Sequence, residues 1–272
     1  MIRSTAHAGT FYPRFEEQLR RQIASWLTGS DSQQDNQRTL GLILPHAGYM
    51  YSGQCAAKGL HSLSHENVDS FIILHPSHHG HHFDFSLSPY TEYSTPLGNI
   101  KLNQHLYDKL SPYADQEIDL VYHQKEHSME IQLPLIHYFF PHASVLPIMI
   151  GNQIPAVAKR LAELLNDALY RSTQRVVILC STDLSHYHKA SKAEELDAKL
   201  IDRVLALDPA GLWEAAVNEQ CEACGLGAIL SLLYVAGYYT APEATRICYT
   251  HSGHVSGDNH QVVGYLAARI SV

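Results

Sequence analysis

The side chains of this sequence best suited to holding a metal ion or moving a proton sit in short polar motifs, each directly behind an apolar run. His46 lies in Pro45-His46-Ala47-Gly48-Tyr49, His78 in Pro76-Ser77-His78-His79-Gly80, and Asp183 and His186 in Ser181-Thr182-Asp183-Leu184-Ser185-His186. Imidazole is the commonest protein metal ligand and titrates nearest neutral pH. The chain carries 19 His against 19 Lys plus Arg, an excess that invites a search for a site. One such His is usually a hydrogen-bonded structural residue. Three motifs in corresponding places argue for a shared site, because imidazoles bury poorly without partners.

Cys224 is the candidate third ligand. It precedes Gly225-Leu226-Gly227-Ala228-Ile229, where a helix is expected to begin, and a helix N-terminus favours the thiolate that binds metals or attacks electrophiles. Cys221 and Cys224 also make one C-x-x-C, but a structural zinc site needs a second pair of similar spacing, and none is present. Glu126-His127-Ser128-Met129-Glu130 reads in two ways: as helix capping, with carboxylates near the positive dipole end, or with His127 as an acid/base aimed at the same site. The run His75, His78, His79, His81, His82 reads as a solvated loop with one or two members turned inward.

The elements that must position these groups are legible as alternating segments. Leu40 to Leu44, Ser70 to His75, Ser144 to Ile150, Arg175 to Cys180, Ala244 to Thr250 and Gln261 to Ala267 read as buried strands. Gly53 to Leu63, Asn103 to Leu110, Ser128 to Phe140, Pro155 to Tyr170, Ala190 to Leu207 and Gly225 to Ala236 have helical spacing. Pro134 should kink or split its helix, and the last two strands could pair as an antiparallel hairpin. Alternation of this kind predicts an α/β fold with a mostly parallel central sheet flanked by helices. Ligands of such sheets bind beyond the carboxyl ends of the strands, where the His-bearing motifs fall. No linker divides residues 1–272, so one domain is expected. Gly29 to Arg38 is the one plainly loop-like polar stretch.

Charged residues are 17% and hydrophobic ones 45% of the 272, with a formal net charge of -8. That balance fits a globular chain rather than a disordered one and disfavours a nucleic-acid binder, which needs clustered Lys and Arg. The N-terminus lacks the apolar stretch of a signal peptide, and no run approaches the roughly 20 apolar residues that span a bilayer. No membrane association and a cytoplasmic location are expected, and five scattered cysteines do not suggest disulfides.

His7-Ala8-Gly9, Leu44-Pro45-His46-Ala47-Gly48-Tyr49, Pro76-Ser77-His78-His79, Thr95-Pro96-Leu97-Gly98, Glu126-His127-Ser128, Ser181-Thr182-Asp183, His186 and Cys224-Gly225 together resemble the Memo family, in order through nearly the whole chain. The resemblance implies a fold related to the class III extradiol ring-cleaving dioxygenases, which use non-haem Fe(II). It also implies association with a radical-SAM protein and an AMMECR1-like protein. Carried over by position, the metal residues are His46, His78 and Cys224; His127, Asp183 and His186 line the same pocket as catalytic candidates, and Phe11, Tyr51 and His79 are the substrate-binding ones. Phe11 stands where the family often has Trp. A dioxygenase triad has two His and one carboxylate; here a softer thiolate would replace the carboxylate. The cofactor expected is thus a divalent metal, iron(II) first, with copper and zinc as alternatives.

Three functions follow from one set of residues. The leading one is a dioxygenase-like redox enzyme acting on a small, aromatic or enediol-like substrate, with His127 or His186 moving protons. The second is a non-catalytic metal-binding or adaptor protein for iron or copper handling or peptide recognition. The third is hydrolysis by Cys224, His186 and Asp183.

Overall fold

Uncharged runs such as Phe71-Ile72-Ile73-Leu74 and Val176-Val177-Ile178-Leu179 have no polar face to present to water, so they fold as strands covered on both sides. The computed structural model describes residues 1–28, 37–115, 118, 120–170 and 172–272. Its strands are β1 (Ile2–Arg3), β2 (Thr39–Leu44), β3 (Ser70–Pro76), β4 (Phe85–Leu87), β5 (Glu92–Thr95), β6 (Gly98–Lys101), β7 (Ser144–Ile150), β8 (Val176–Ser181), β9 (His186–His188), β10 (Glu243–His251) and β11 (Val262–Ser271). Its helices are α1 (Glu16–Trp26), α2 (Gln54–His61), α3 (Gln104–Leu110), α4 (Leu120–Lys125), α5 (His127–Glu130), α6 (Gln132–Phe139), α7 (Pro155–Tyr170), α8 (Ala190–Leu205), α9 (Pro209–Val217), α10 (Leu226–Ala236) and α11 (Gly253–Ser256). The polar stretch Gly29 to Arg38 falls mostly outside the described residues.

The main sheet runs β10-β11-β2-β8-β3-β7-β4, with β9 added beside β11. Contrary to the mostly parallel expectation, it is mixed. The central strands β2, β8, β3 and β7 pair in parallel. The flanks are antiparallel: β10 with β11, β11 with β2 and with β9, and β4 with β7. For β10 and β11 the cause is connection length. Parallel neighbours need a long crossover, whereas β10 and β11 are joined by a short segment holding only the single turn α11, so they close as the hairpin read from the sequence. Alternate strand residues feed two apolar layers. Ile72, Leu74, Ile148 and Ile178 pack with α7 and α10 on one face, and Phe71, Ile73, Val177 and Leu179 pack with α1, α2 and α6 on the other. A small sheet of β1, β5 and β6 lies apart from the main one. Among the described residues no helix is long and apolar enough to cross a membrane.

Two local departures shape the site. The helix expected over Ser128 to Phe140 is split at Ile131 into α5 and α6. Pro134 then occupies the first turn of α6, where a missing N–H costs nothing. Before α2, Tyr49–Gly53 form a π-helical turn, a rare geometry that recurs at functional positions.

The N-terminal segment is tied down by Glu130, which has no exposed surface. Its carboxylate accepts from Arg3 Nη1 at 2.6 Å, Tyr12 Oη at 2.7 Å and the backbone N–H groups of Ala6 and His7. Burial alone would raise its pKa, but Arg3 and these donors bring it below the ordinary 4.5. A depressed carboxyl stabilises the fold above about 4.5 and loses that contribution as pH falls towards its folded value. Arg3→Met, which strands this buried charge, should therefore cost about 3–5 kcal/mol at pH 7. The deficit, measured by urea unfolding, should shrink as pH falls, because without Arg3 the Glu130 carboxyl takes up its proton at a higher pH than in the parent.

Candidate metal centre

The strand order makes neighbours of β2, β8 and β3, and all three are parallel, so the motifs after them emerge side by side at one edge. His46 Nε2 lies 3.3 Å from Cys224 Sγ, and ligand atoms of His46, His78 and Cys224 all fall within 4.8 Å of one another. The His46 ring crosses those of His78 and His127 edge-on at 5.4 and 5.3 Å, while His78 and His127 sit 4.4 Å apart.

Hydrogen-bond arithmetic fixes which imidazole nitrogens carry protons. Ser181 Oγ has one proton and donates it to Ser128 O at 2.6 Å, while accepting from Gln132 Nε2. Towards His46 Nδ1, 3.0 Å away, the hydroxyl can only accept, so Nδ1 holds the hydrogen and Nε2 presents its lone pair to Cys224. His78 is set by a carboxylate: Glu126 accepts from its Nδ1 at 2.8 Å, from its backbone N–H at 2.8 Å and from Ser128 N–H at 3.0 Å. A carboxylate behind an imidazole orients the far nitrogen as a ligand and raises its basicity. Burial acts to raise the pKa of Glu126, but these hydrogen bonds, those from His78 foremost, hold it far below the usual carboxylate range.

Burial, reinforced by the neighbouring imidazoles, pushes both His46 and His127 down to about 3. Both are neutral at pH 7. Asp183 accepts the His46 backbone N–H at 2.8 Å; burial pushes it up to about 6, against the pull of that hydrogen bond and of His186. Cys224 differs from its expected thiolate. The residue precedes Gly225, the cap of α10, and burial followed by the Asp183 charge pushes the thiol up to about 12, outweighing the dipole. Its sulfur accepts from Asp183 N–H at 3.2 Å. Gly225 is required next to it, because a Cβ there would meet Ser181 O and Thr182 Cβ at 2.7 Å.

The C-x-x-C pair diverges, since Cys221 is buried against Leu212. Glu222, between them, accepts from His186 N–H at 2.7 Å and lies 2.9 Å from His188 Nε2, fastening the Cys224 loop to β9. His186 is near enough to Asp183 and His46 to interact electrostatically with both. A cavity of about 690 Å³ is lined by Phe11, Tyr12, Phe15, Tyr49, Met50 and Tyr51, among others. The cluster lies outside that lining; Phe11 links the two, its ring 5.2 Å from that of His127. His79 stands apart on the exposed loop, facing Tyr122. His7, part of the His7-Ala8-Gly9 motif but given no role from the sequence, packs on Phe11 and His127 at 5.1 and 5.9 Å. Of the dense histidine run only His75 is buried; His78, His79, His81 and His82 are exposed, and of these His78 turns its ring towards Glu126 and His46.

Glu194, His251 and His254 form a separate cluster. There His251 Nδ1 accepts from Gly253 N–H at 3.1 Å, which leaves the proton on Nε2, the nitrogen facing Glu194 at 3.5 Å. That geometry is a donor to a carboxylate rather than a ligand pair.

Because the thiolate is the reactive form, metal-free protein at pH 8 should alkylate at Cys224 more than about tenfold slower than a solvent-exposed cysteine. Timed iodoacetamide labelling with peptide mass spectrometry measures this, and rapid labelling would favour the cysteine-nucleophile alternative.

The sequence matches the model of a family described as Memo-like protein over residues 3–269. Curated relatives named MEMO1 family protein cover nearly the same span. One from Methanosarcina mazei is 37% identical over 98% of both chains, and one from Sulfurisphaera tokodaii is 34% identical over 99% of both. One from Thermotoga maritima is 34% identical over 98% of this chain and 99% of its own. An uncharacterized Escherichia coli K12 protein of known crystal structure aligns over 84% of this chain and 99% of its own, at 13% identity and a TM-score of 0.40. With its family model and its relatives spanning nearly every residue, the chain belongs to the Memo-like protein family.

Proposed function

We propose that this protein binds a divalent metal through His46 Nε2, His78 Nε2 and Cys224 Sγ and is a dioxygenase-like redox enzyme for a small aromatic or enediol substrate. The observation that carries the reading is the meeting of three sequence-remote ligand atoms within 4.8 Å, with both imidazole lone pairs aimed by buried partners. Two nitrogens and a sulfur suit iron, zinc or copper, with iron(II) the first choice for redox work. When bound, such a cation supplies Lewis acidity and electron transfer at an open coordination position.

The protein's own groups account for the remainder. The Glu126 carboxylate and Ser181 hydroxyl keep the two rings oriented. Asp183, at about 6, is poised to take or return a proton near neutrality, where acid–base catalysis is most effective. His127, neutral and beside Phe11, can pass a proton without retaining it. The aromatic cavity beyond Phe11 suits a planar apolar substrate. A second reading, metal handling without turnover, is favoured by the thiol standing where dioxygenases place a carboxylate.

Protein purified without oxygen, loaded with Fe(II) and offered a panel of catechols and enediols should consume oxygen. No uptake across the panel would remove the enzymatic reading and leave metal handling. Glu126→Gln should keep the fold yet lower cation affinity by about 10–100-fold, measured by anaerobic Co(II) titration; unchanged affinity would place the metal elsewhere.

A further inference from the structure

Two cysteines that take no part in the metal centre meet where α2 rests on the main sheet. Helix α2 can lie close because Gly59 has no side chain: a Cβ there would overlap Leu44 Cδ2 and touch Ala267 Cβ at 3.4 Å. Cys55 is one turn earlier on the same stripe of the helix, and its Sγ reaches to 3.9 Å from Tyr265 O. The sheet meets it through an irregularity. Arg246 pairs with Ala268 and Cys248 with Ala267, so Ile247 is an extra residue in β10. In a regular strand Arg246 and Cys248 would share a face; the bulge separates them, leaving Arg246 exposed and placing Cys248 beside Ala267 in the layer under α2. Both thiols therefore lie in the one apolar layer between α2 and the sheet, Cys55 against Tyr265 O and Cys248 opposite Ala267, where each acts on the other's titration. Cys55 is sealed, 1% exposed, whereas Cys248 is partly open to solvent.

We propose that Cys55 and Cys248 are a reversible redox pair, oxidised by a hydroperoxide to a disulfide that clamps α2 to β10. The Cys248 thiolate attacks the outer peroxide oxygen; the O–O bond breaks, alcohol or water leaves, and sulfur becomes a sulfenic acid. The Cys55 thiol then forms the S–S bond and expels water. Two thiols and one hydroperoxide thus give one disulfide, one alcohol or water, and one further water. A dithiol reductant reverses the change by exchange. The asymmetry suits the roles: the neighbouring Cys55 thiol, with Lys58 and Arg246 adding to the effect against burial, draws Cys248 below the ordinary thiol value, while Cys55 is protected until its partner is oxidised. Because α2 continues directly from the π-helical turn bearing Met50 and Tyr51, the clamp would fix a wall of the aromatic cavity.

The test treats the reduced full-length protein with one to three equivalents of hydrogen peroxide, blocks free thiols, digests without reductant and sequences linked peptides by mass spectrometry. A Cys55–Cys248 peptide should dominate, two of the five thiols should vanish, and dithiothreitol should restore all five. In Cys55→Ser the sulfenic acid has no partner, so dimedone should label Cys248 at least about tenfold more than in the parent. Links that join Cys224 instead, or sulfinic acid at Cys248 of the parent with no linked peptide, would overturn the proposal.

Discussion

A carboxylate with no exposed surface, accepting at once from an imidazole and from backbone N–H groups, is the arrangement on which the site rests. Glu126 provides it for the loop after β3, and the device recurs. Asp183 accepts from His46 N–H, Glu130 from Ala6 and His7, and buried Asp197 from Ser185 N–H and the Tyr249 hydroxyl. The loops after β2, β3 and β8 are thus pinned by buried acids rather than by packing alone, while the Cys224 loop is held by the partly exposed Glu222. Such groups are costly to bury and are retained only when their acceptor sites are filled, which makes the loops hard to move independently.

The same acids set the electrostatics. Imidazoles of His46, His75 and His127 are held neutral by burial and by each other's potential charge, so the cluster resists taking up protons, while Glu126 stays ionised beneath it. A pocket of neutral nitrogens over a fixed negative charge favours a cation with directional coordination over a proton. Cys224 follows opposite logic: its thiol stays protonated among acids, and a cation would have to displace that proton to use the sulfur.

The sequence exposed the framework well and the supports poorly. The uncharged strands and the 16-residue α7 (Pro155–Tyr170) carry their period in their own residues, and the positions of His46, His78 and Asp183 behind strands followed from that alone. The small sheet, β4, β9, α1 and α9 were not read, because β1 and β9 are too short to show a period and α1 mixes charge with few apolar anchors. The antiparallel pairings of β11 with β2 and of β4 with β7 were hidden for a different reason, although the β10–β11 hairpin was legible: alternation of elements reports local period, not strand direction. Ser181, Gln132 and Arg3 were invisible as parts of the site, since their partners lie 49 to 135 residues away. The same distance hid the role of Glu126, whose pairing with His78 spans 48 residues; only its place beside His127 hinted at it.

The fixed tautomers of His46 and His78 have a consequence for how such a centre would mature. Each ring is aligned by Ser181 or Glu126, protein partners present as soon as the chain has folded, so the cost of orienting donors falls on folding and not on coordination. A site organised in this way has rigidity but little power to choose between ions of similar size, because first-row affinities for nitrogen and sulfur donors rise towards copper regardless of the host. Which element occupies it would then be decided by the supply encountered after folding, and faithful metallation would be a task for the cell's metal pools rather than for the chain.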